Sequence, residues 1–161
     1  LIVLLLCTAL FTACKSGSGK AQMEKQLGIK LEKPLTIEFT DEHGGFHGDG
    51  HAVGKLELDE AGEKRFLSQI ECGDWQELPL SENLELLLYG GEKDGISYDY
   101  NLAETAGIPK IDAGYYYFRD RHPQSGAPTD DGNLFSRSSF NFTFAVYDIN
   151  TRVLYYFEFD T

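Results

Sequence analysis

Residues 139–160 read Ser139-Phe140-Asn141-Phe142-Thr143-Phe144-Ala145-Val146-Tyr147-Asp148, then Ile149-Asn150-Thr151-Arg152, then Val153-Leu154-Tyr155-Tyr156-Phe157-Glu158-Phe159-Asp160. Both outer runs are rich in aromatic and β-branched residues, which suit the pleated, half-buried surface of a strand. Successive side chains of a strand point to opposite faces. Phe140, Phe142, Phe144 and Val146 therefore share one face of the first run, and Val153, Tyr155, Phe157 and Phe159 one face of the second. A hairpin turning through 149–152 aligns those faces and delivers eight large side chains to one core. Full burial of a side chain of this kind stabilises by about 1.5–3 kcal/mol, before conformational entropy is subtracted.

The same period extends upstream. It places Tyr115 and Tyr117 on one face and Tyr116 and Phe118 on the other, with at least one pair expected in the core. Leu35, Ile37 and Phe39 alternate with Thr36 and Glu38, a second alternation runs from Val53 to Leu58, and Gly44-Gly45 is the expected turn between them. Asp59, followed by an acidic turn and by Phe66, Leu67 and Ile70, predicts a short amphipathic helix. Ser81 to Tyr89 predicts a second, stopped at Gly90-Gly91. Trp75 is expected to close a core edge, and the turn-rich stretch from Arg119 to Phe135 to form a long surface loop. These elements predict a single α+β domain: an antiparallel sheet with the C-terminal aromatic hairpin and about two short helices packed on one side.

At 161 residues and 42% hydrophobic composition the chain has the size and apolar content of one domain. Its formal net charge of -12 repels phosphate backbones, which argues against nucleic acid as a partner. The same charge opposes adsorption to anionic lipid, so membrane association calls for a covalent anchor.

The N-terminus supplies a candidate anchor. Leu1 to Leu6 is uninterruptedly apolar and leads through Cys7 and Phe11 to Thr12, Ala13 and Cys14. The run is short of the about 20 residues that span a bilayer and suits an export signal. It begins without an initiator methionine or a basic segment, which predicts a truncated signal peptide over residues 1–13. Leu10-Phe11-Thr12-Ala13-Cys14 resembles the lipobox of bacterial lipoproteins, departing from it at Phe11, where leucine is usual. The resemblance implies cleavage before Cys14, a diacylglycerol on its thiol, and a lipid-anchored location on the extracytoplasmic face of the cell membrane. The polar Gly/Ser segment 15–20 and the weakly periodic 21–33 then predict a flexible tether over 14–33, with the globular domain at 34–161. Cys72, the thiol that would remain, is expected as a small buried hydrophobe.

Chemistry concentrates in Asp41-Glu42-His43-Gly44-Gly45-Phe46-His47-Gly48-Asp49-Gly50-His51, which holds three of the four histidines. If this segment stays extended, His47, Asp49 and His51 face one way, and two imidazoles with a carboxylate suit zinc or another divalent metal. His43, or His122 from the surface loop, would complete the shell, and Glu42 would serve as base toward metal-bound water. Acid/base catalysis by His47 with Asp49, or by His122 with Asp120, is a further option. Gly48 and Gly50 weigh against convergence, because glycine frees the backbone to turn, and a binding or structural loop is the favoured expectation.

Standard catalytic signatures are absent. Gly54-Lys55 is followed by Leu56, and Asp49 stands where a phosphate-cradling loop has its first glycine. No Gly-x-Ser-x-Gly elbow, Cys-x-x-Cys pair or His-Glu-x-x-His motif occurs. The segments 43–50, 75–80, 116–122 and 141–161 together look like a group of uncharacterised lipoproteins and exported proteins of Gram-positive bacteria, which implies a single domain at the cell envelope and transfers no catalytic role to any residue. The expectation for function is a lipid-anchored binding or interaction module for an envelope protein or a small-molecule ligand. The alternative is a zinc-type hydrolase using His47, Asp49 and His51.

Overall fold

The computed structural model describes residues 13–44 and 48–161. Along the chain run α1 (Ala13–Leu27), β1 (Thr36–Asp41), β2 (Gly50–Glu57), α2 (Glu60–Ile70), β3 (Trp75–Glu77) and α3 (Glu82–Tyr89). They are followed by β4 (Gly91–Lys93), β5 (Ile96–Tyr98), α4 (Leu102–Ala106), β6 (Gly114–Asp120), β7 (Asn141–Asp148) and β8 (Val153–Asp160). The main sheet has six antiparallel strands in the order β1-β2-β8-β7-β6-β3, and β4 and β5 form a separate small hairpin. The fold is α+β, as the residue pattern predicts.

The C-terminal hairpin is the centre of the sheet. Phe142 pairs with Phe159, Phe144 with Phe157, and Val146 with Tyr155, so the two apolar faces align in the expected register. Phe142, Phe144 and Phe157 are fully or almost fully buried. The β1–β2 hairpin also forms, with Asp41 opposite Ala52. Both short helices carry the expected caps: Asp59 Oδ1 accepts from the Gly62 N–H at 2.6 Å, and Ser81 Oγ from the Leu84 N–H at 3.2 Å.

The helices were expected on one side and instead cover both. One core packs α3 and α4, through Leu84, Leu87, Leu88, Ala103 and Ala106, on Tyr116, Phe118, Phe144, Tyr155 and Phe157. The other packs α1 and α2, through Met23, Leu27, Phe66 and Ile70, on Tyr117, Ala145, Tyr147, Leu154 and Tyr156. The reason lies in the strands: β6, β7 and β8 are apolar on both faces, and each face must be covered. Trp75 closes the edge of the second core, with its ring 5.2 Å from Phe66 and 5.6 Å from Tyr117.

Two expectations are corrected. Order does not begin near Pro34, since residues expected as tether form α1 and the segment after it, with Met23, Leu27, Ile29 and Leu31 all buried. Gly19 seats closely on the Phe39 ring, where no larger residue fits, and Glu24 accepts from the Leu31 N–H at 2.7 Å to fix the exit from the helix. Cys72 is exposed rather than buried, because α2 ends at Ile70 and residues 71–74 turn away from the core. Residues 1–12, which hold the expected signal segment apart from Ala13 and include Leu10 to Thr12 of the lipobox-like motif, lie outside the described residues, while Ala13 and Cys14 begin α1. Among the described residues no helix is long and apolar enough to cross a membrane.

Candidate functional site

The histidine-rich hairpin connection is not an extended ribbon. Gly48 and Gly50 both take positive φ, at 75° and 146°, and β2 begins only at Gly50. Gly50 needs its glycine, because a Cβ there would sit 2.6 Å from the Glu42 carbonyl oxygen. Asp49 is consequently outside the strand and exposed. His43 and His51 end on opposite faces of the sheet. The His43 ring lies between two carboxylates, with Nδ1 2.8 Å from Asp41 Oδ1 and Nε2 3.2 Å from Asp160 Oδ2, the latter out of line for a hydrogen bond. His51 packs on the other face, 6.3 Å from the Phe157 ring, with Nε2 3.5 Å from Glu42 Oε2. His47 lies outside the described residues. Among the described residues, no three histidine, cysteine, aspartate or glutamate side chains gather where a metal ion could sit.

His122 is also committed elsewhere. Asp120 is buried and gives both carboxylate oxygens to Arg137, at 2.7 and 2.9 Å, so its contact with His122 is only to that residue's backbone N–H. The His122 ring faces Ser139, Nε2 to Oγ 3.1 Å, while Nδ1 accepts from the Gln124 N–H at 3.1 Å. An accepting Nδ1 leaves the proton of the neutral ring on Nε2, so His122 donates to Ser139 instead of taking its proton. That polarity is opposite to an activated serine nucleophile.

A polar centre lies under α1. Glu158, on β8, is 4% exposed and accepts from Gln22 and Gln26 of α1 at 3.0 and 2.8 Å and from the Tyr156 hydroxyl at 2.7 Å. Arg121 stands 3.3 Å from Glu158 and 2.9 Å from Asp160. Burial, then the Glu158 charge, pushes the Tyr156 hydroxyl far above its ordinary value, so it remains a donor. The Glu158 carboxylate has partners on both of its oxygens, and the cluster fastens α1 to the sheet.

A cleft of about 620 Å³ lies on the opposite face. One wall is α3, whose Glu82, Glu85, Leu86 and Tyr89 recur at helical spacing along the opening. Leu78 to Leu80 and Lys110 to Asp112 line the other sides, and Phe144 and Val146 of β7 lie at the bottom. The floor is apolar, whereas Glu82, Glu85, Glu92 and Asp112 bring four carboxylates to the rim against the single ammonium of Lys110. Tyr89 donates from its hydroxyl to the Pro109 carbonyl at 2.9 Å, which fixes the ring. Burial, reinforced by Glu85, raises its hydroxyl to about 12. Lys110 ion-pairs with Glu85 and places Nζ 3.9 Å from the centre of the Tyr89 ring.

The sequence pattern did not single out the cleft residues. Ser81 to Tyr89 was legible as a helix, but its outward stripe acquires meaning only when segments 78–80 and 110–112 fold beside it. No family model matches the chain, and no curated protein or solved structure matches it either.

Proposed function

We propose that this protein is a lipid-anchored, extracytoplasmic binding module at the cell envelope, and that its ligand is a small molecule with an apolar body held in the α3 cleft. The observation that carries the binding site is the cleft itself: a concavity of about 620 Å³ with Phe144 and Val146 at its bottom, bordered by charged side chains. Ligand sites are commonly concave, largely apolar and provided with a few polar groups that orient what binds. The placement at the envelope rests on the lipobox-like segment ending at Cys14. A binding role, rather than catalysis, is supported by the engagement of His43, His51 and His122 in local contacts.

Two measurements test this. A ligand-observed NMR screen of small apolar compounds against the full chain should yield binders that Ile111→Trp, which fills the cleft mouth, displaces without changing the far-ultraviolet circular dichroism. Binders unaffected by that substitution, or substrate turnover dependent on His47 or Asp49, would refute the cleft assignment. Cys14→Ser should abolish lipid labelling and leave unprocessed precursor, and normal labelling of the variant would refute the anchor.

A further inference from the structure

The Lys110 ammonium rests on an aromatic face and a carboxylate at once. Its Nζ is 3.9 Å from the Tyr89 ring centre and pairs with Glu85 on the same wall. A cation over an aromatic face with a carboxylate beside it is the arrangement by which proteins recognise alkylammonium groups. In most such sites the cation belongs to the ligand. Here the chain supplies it, at the mouth of a cleft with an apolar floor.

Building on the binding reading above, we propose that Tyr89 and Glu85 form a subsite for a small organic ammonium carrying an apolar body, and that Lys110 occupies this subsite in the free protein as a stand-in for the ligand's cation. The ligand's ammonium displaces Lys110 from Tyr89 while its apolar body settles against Leu86, Ile111 and Val146.

Three features favour this occupant. Lys110 and Glu85 are 63% and 44% exposed in their side chains, and exposed ion pairs hold weakly, so the lysine yields readily to a competitor. Tyr89 does not need to move, because its hydroxyl is tied to Pro109. The rim also retains negative charge when Lys110 leaves: Glu82 is paired with Lys93 at 2.8 Å, but Glu92 and Asp112 carry no ion pair among the described residues. A displaced Lys110 therefore finds carboxylates nearby, and an anionic ligand meets repulsion.

The test titrates the full chain with hexyltrimethylammonium, hexan-1-ol and hexanoate by calorimetry, in the wild type and in Lys110→Gln. The cation should bind more tightly than the alcohol, and hexanoate most weakly. Lys110→Gln should tighten the cation by about fivefold and leave the alcohol unchanged, the size expected for freeing one exposed cation–π and ion-pair site. Lys64→Gln, which removes the same charge from α2 on the other face, controls for net charge. Equal tightening there, or none in Lys110→Gln, would overturn the stand-in role. The cleft reading would survive that result if Ile111→Trp still displaces the alcohol. Absence of binding by both cation and alcohol would overturn the cleft and the subsite together. Because Tyr89→Leu removes the cation–π face, it should erase the preference of Lys110→Gln for cation over alcohol, and an undiminished preference would remove Tyr89 from the site.

Discussion

Arg137 and Asp120 meet through two parallel contacts of 2.7 and 2.9 Å, with side chains only 6% and 2% exposed. Arg137 follows the long loop and Asp120 ends β6, so the pair closes the loop onto the sheet. Removing one member leaves a buried charge without its counter-ion, which costs more than the pair contributes as a whole. Arg137→Ala should lower stability by about 3–5 kcal/mol, read as a drop in the urea midpoint. The double variant Arg137→Met/Asp120→Leu should recover much of that loss.

The fastening of α1 is tested at Glu158. Glu158→Ala strips acceptors from Gln22, Gln26 and Tyr156 and leaves Arg121 with Asp160 and the Phe142 carbonyl. A loss of about 2–3 kcal/mol is expected. The loss should be localised, so limited trypsin digestion should cut at Lys20 and Lys25 well before it cuts in the sheet. Uniform digestion would mean that α1 does not detach separately.

Acid should loosen the exit from the same helix. Burial pushes Glu24 upward, but the hydrogen bonds from Lys20 and from the Leu31 N–H outweigh it and hold the carboxyl below its ordinary 4.5. A group lowered in the folded state contributes stability above its unfolded value and loses it as pH falls through the folded one. Glu24→Gln should therefore be weaker than wild type by about 1 kcal/mol at neutral pH and converge with it as pH falls below 4.5 and through the lowered folded-state value. Urea midpoints collected across that range check both limits.

Gly114 opens β6 at a φ of 150°, and a Cβ there would lie 1.8 Å from the Tyr147 carbonyl oxygen. Neither strand can give way, because both belong to the sheet centre. Gly114→Ala should cost more than about 3 kcal/mol, measured as loss of the cooperative thermal transition. Gly126→Ala, at a position with nothing within 4 Å, should be nearly silent.

Divalent metal offers a further check on the histidine stretch. His43 and His51 stand on opposite faces, and Gly48 and Gly50 turn the chain on either side of Asp49. Equimolar zinc should therefore leave the melting temperature unchanged to within about 1 °C, whereas a site of three ligands would raise it by several degrees.

What could be read from the residues follows from how local each signal is. Phe142, Phe144, Tyr155 and Phe157 announce their strands by alternation, and Asp59 and Ser81 announce their helices by capping within three residues. The docking of α1 has no such local cue. Its sequence is glycine-bearing and polar, and what holds it is a carboxylate more than a hundred residues away, at a separation of 136 from Gln22. Glu158 itself was a visible anomaly, a charge on the face shared by Leu154 and Tyr156. The cleft was hidden for the same reason: Tyr89, Lys110 and Val146 come from distant segments, and their chemistry exists only in combination. For His43, His47, Asp49 and His51 the residue types were suggestive, but two glycine torsions decide where the described ones point.

The position of β8 between β2 and β7 bears on the order in which the sheet assembles. Among the described residues, every other strand of the sheet precedes Val153, yet those strands cannot assemble it, because β1–β2 and β7–β6–β3 are joined only through residues 153–160. Until those residues are in place, β2 and β7 each present an open edge, the condition that invites mispairing with neighbouring chains. Closure of the sheet thus waits on residues 153–160, and a product stopped before Val153 is a pair of unclosed halves rather than a smaller version of the domain.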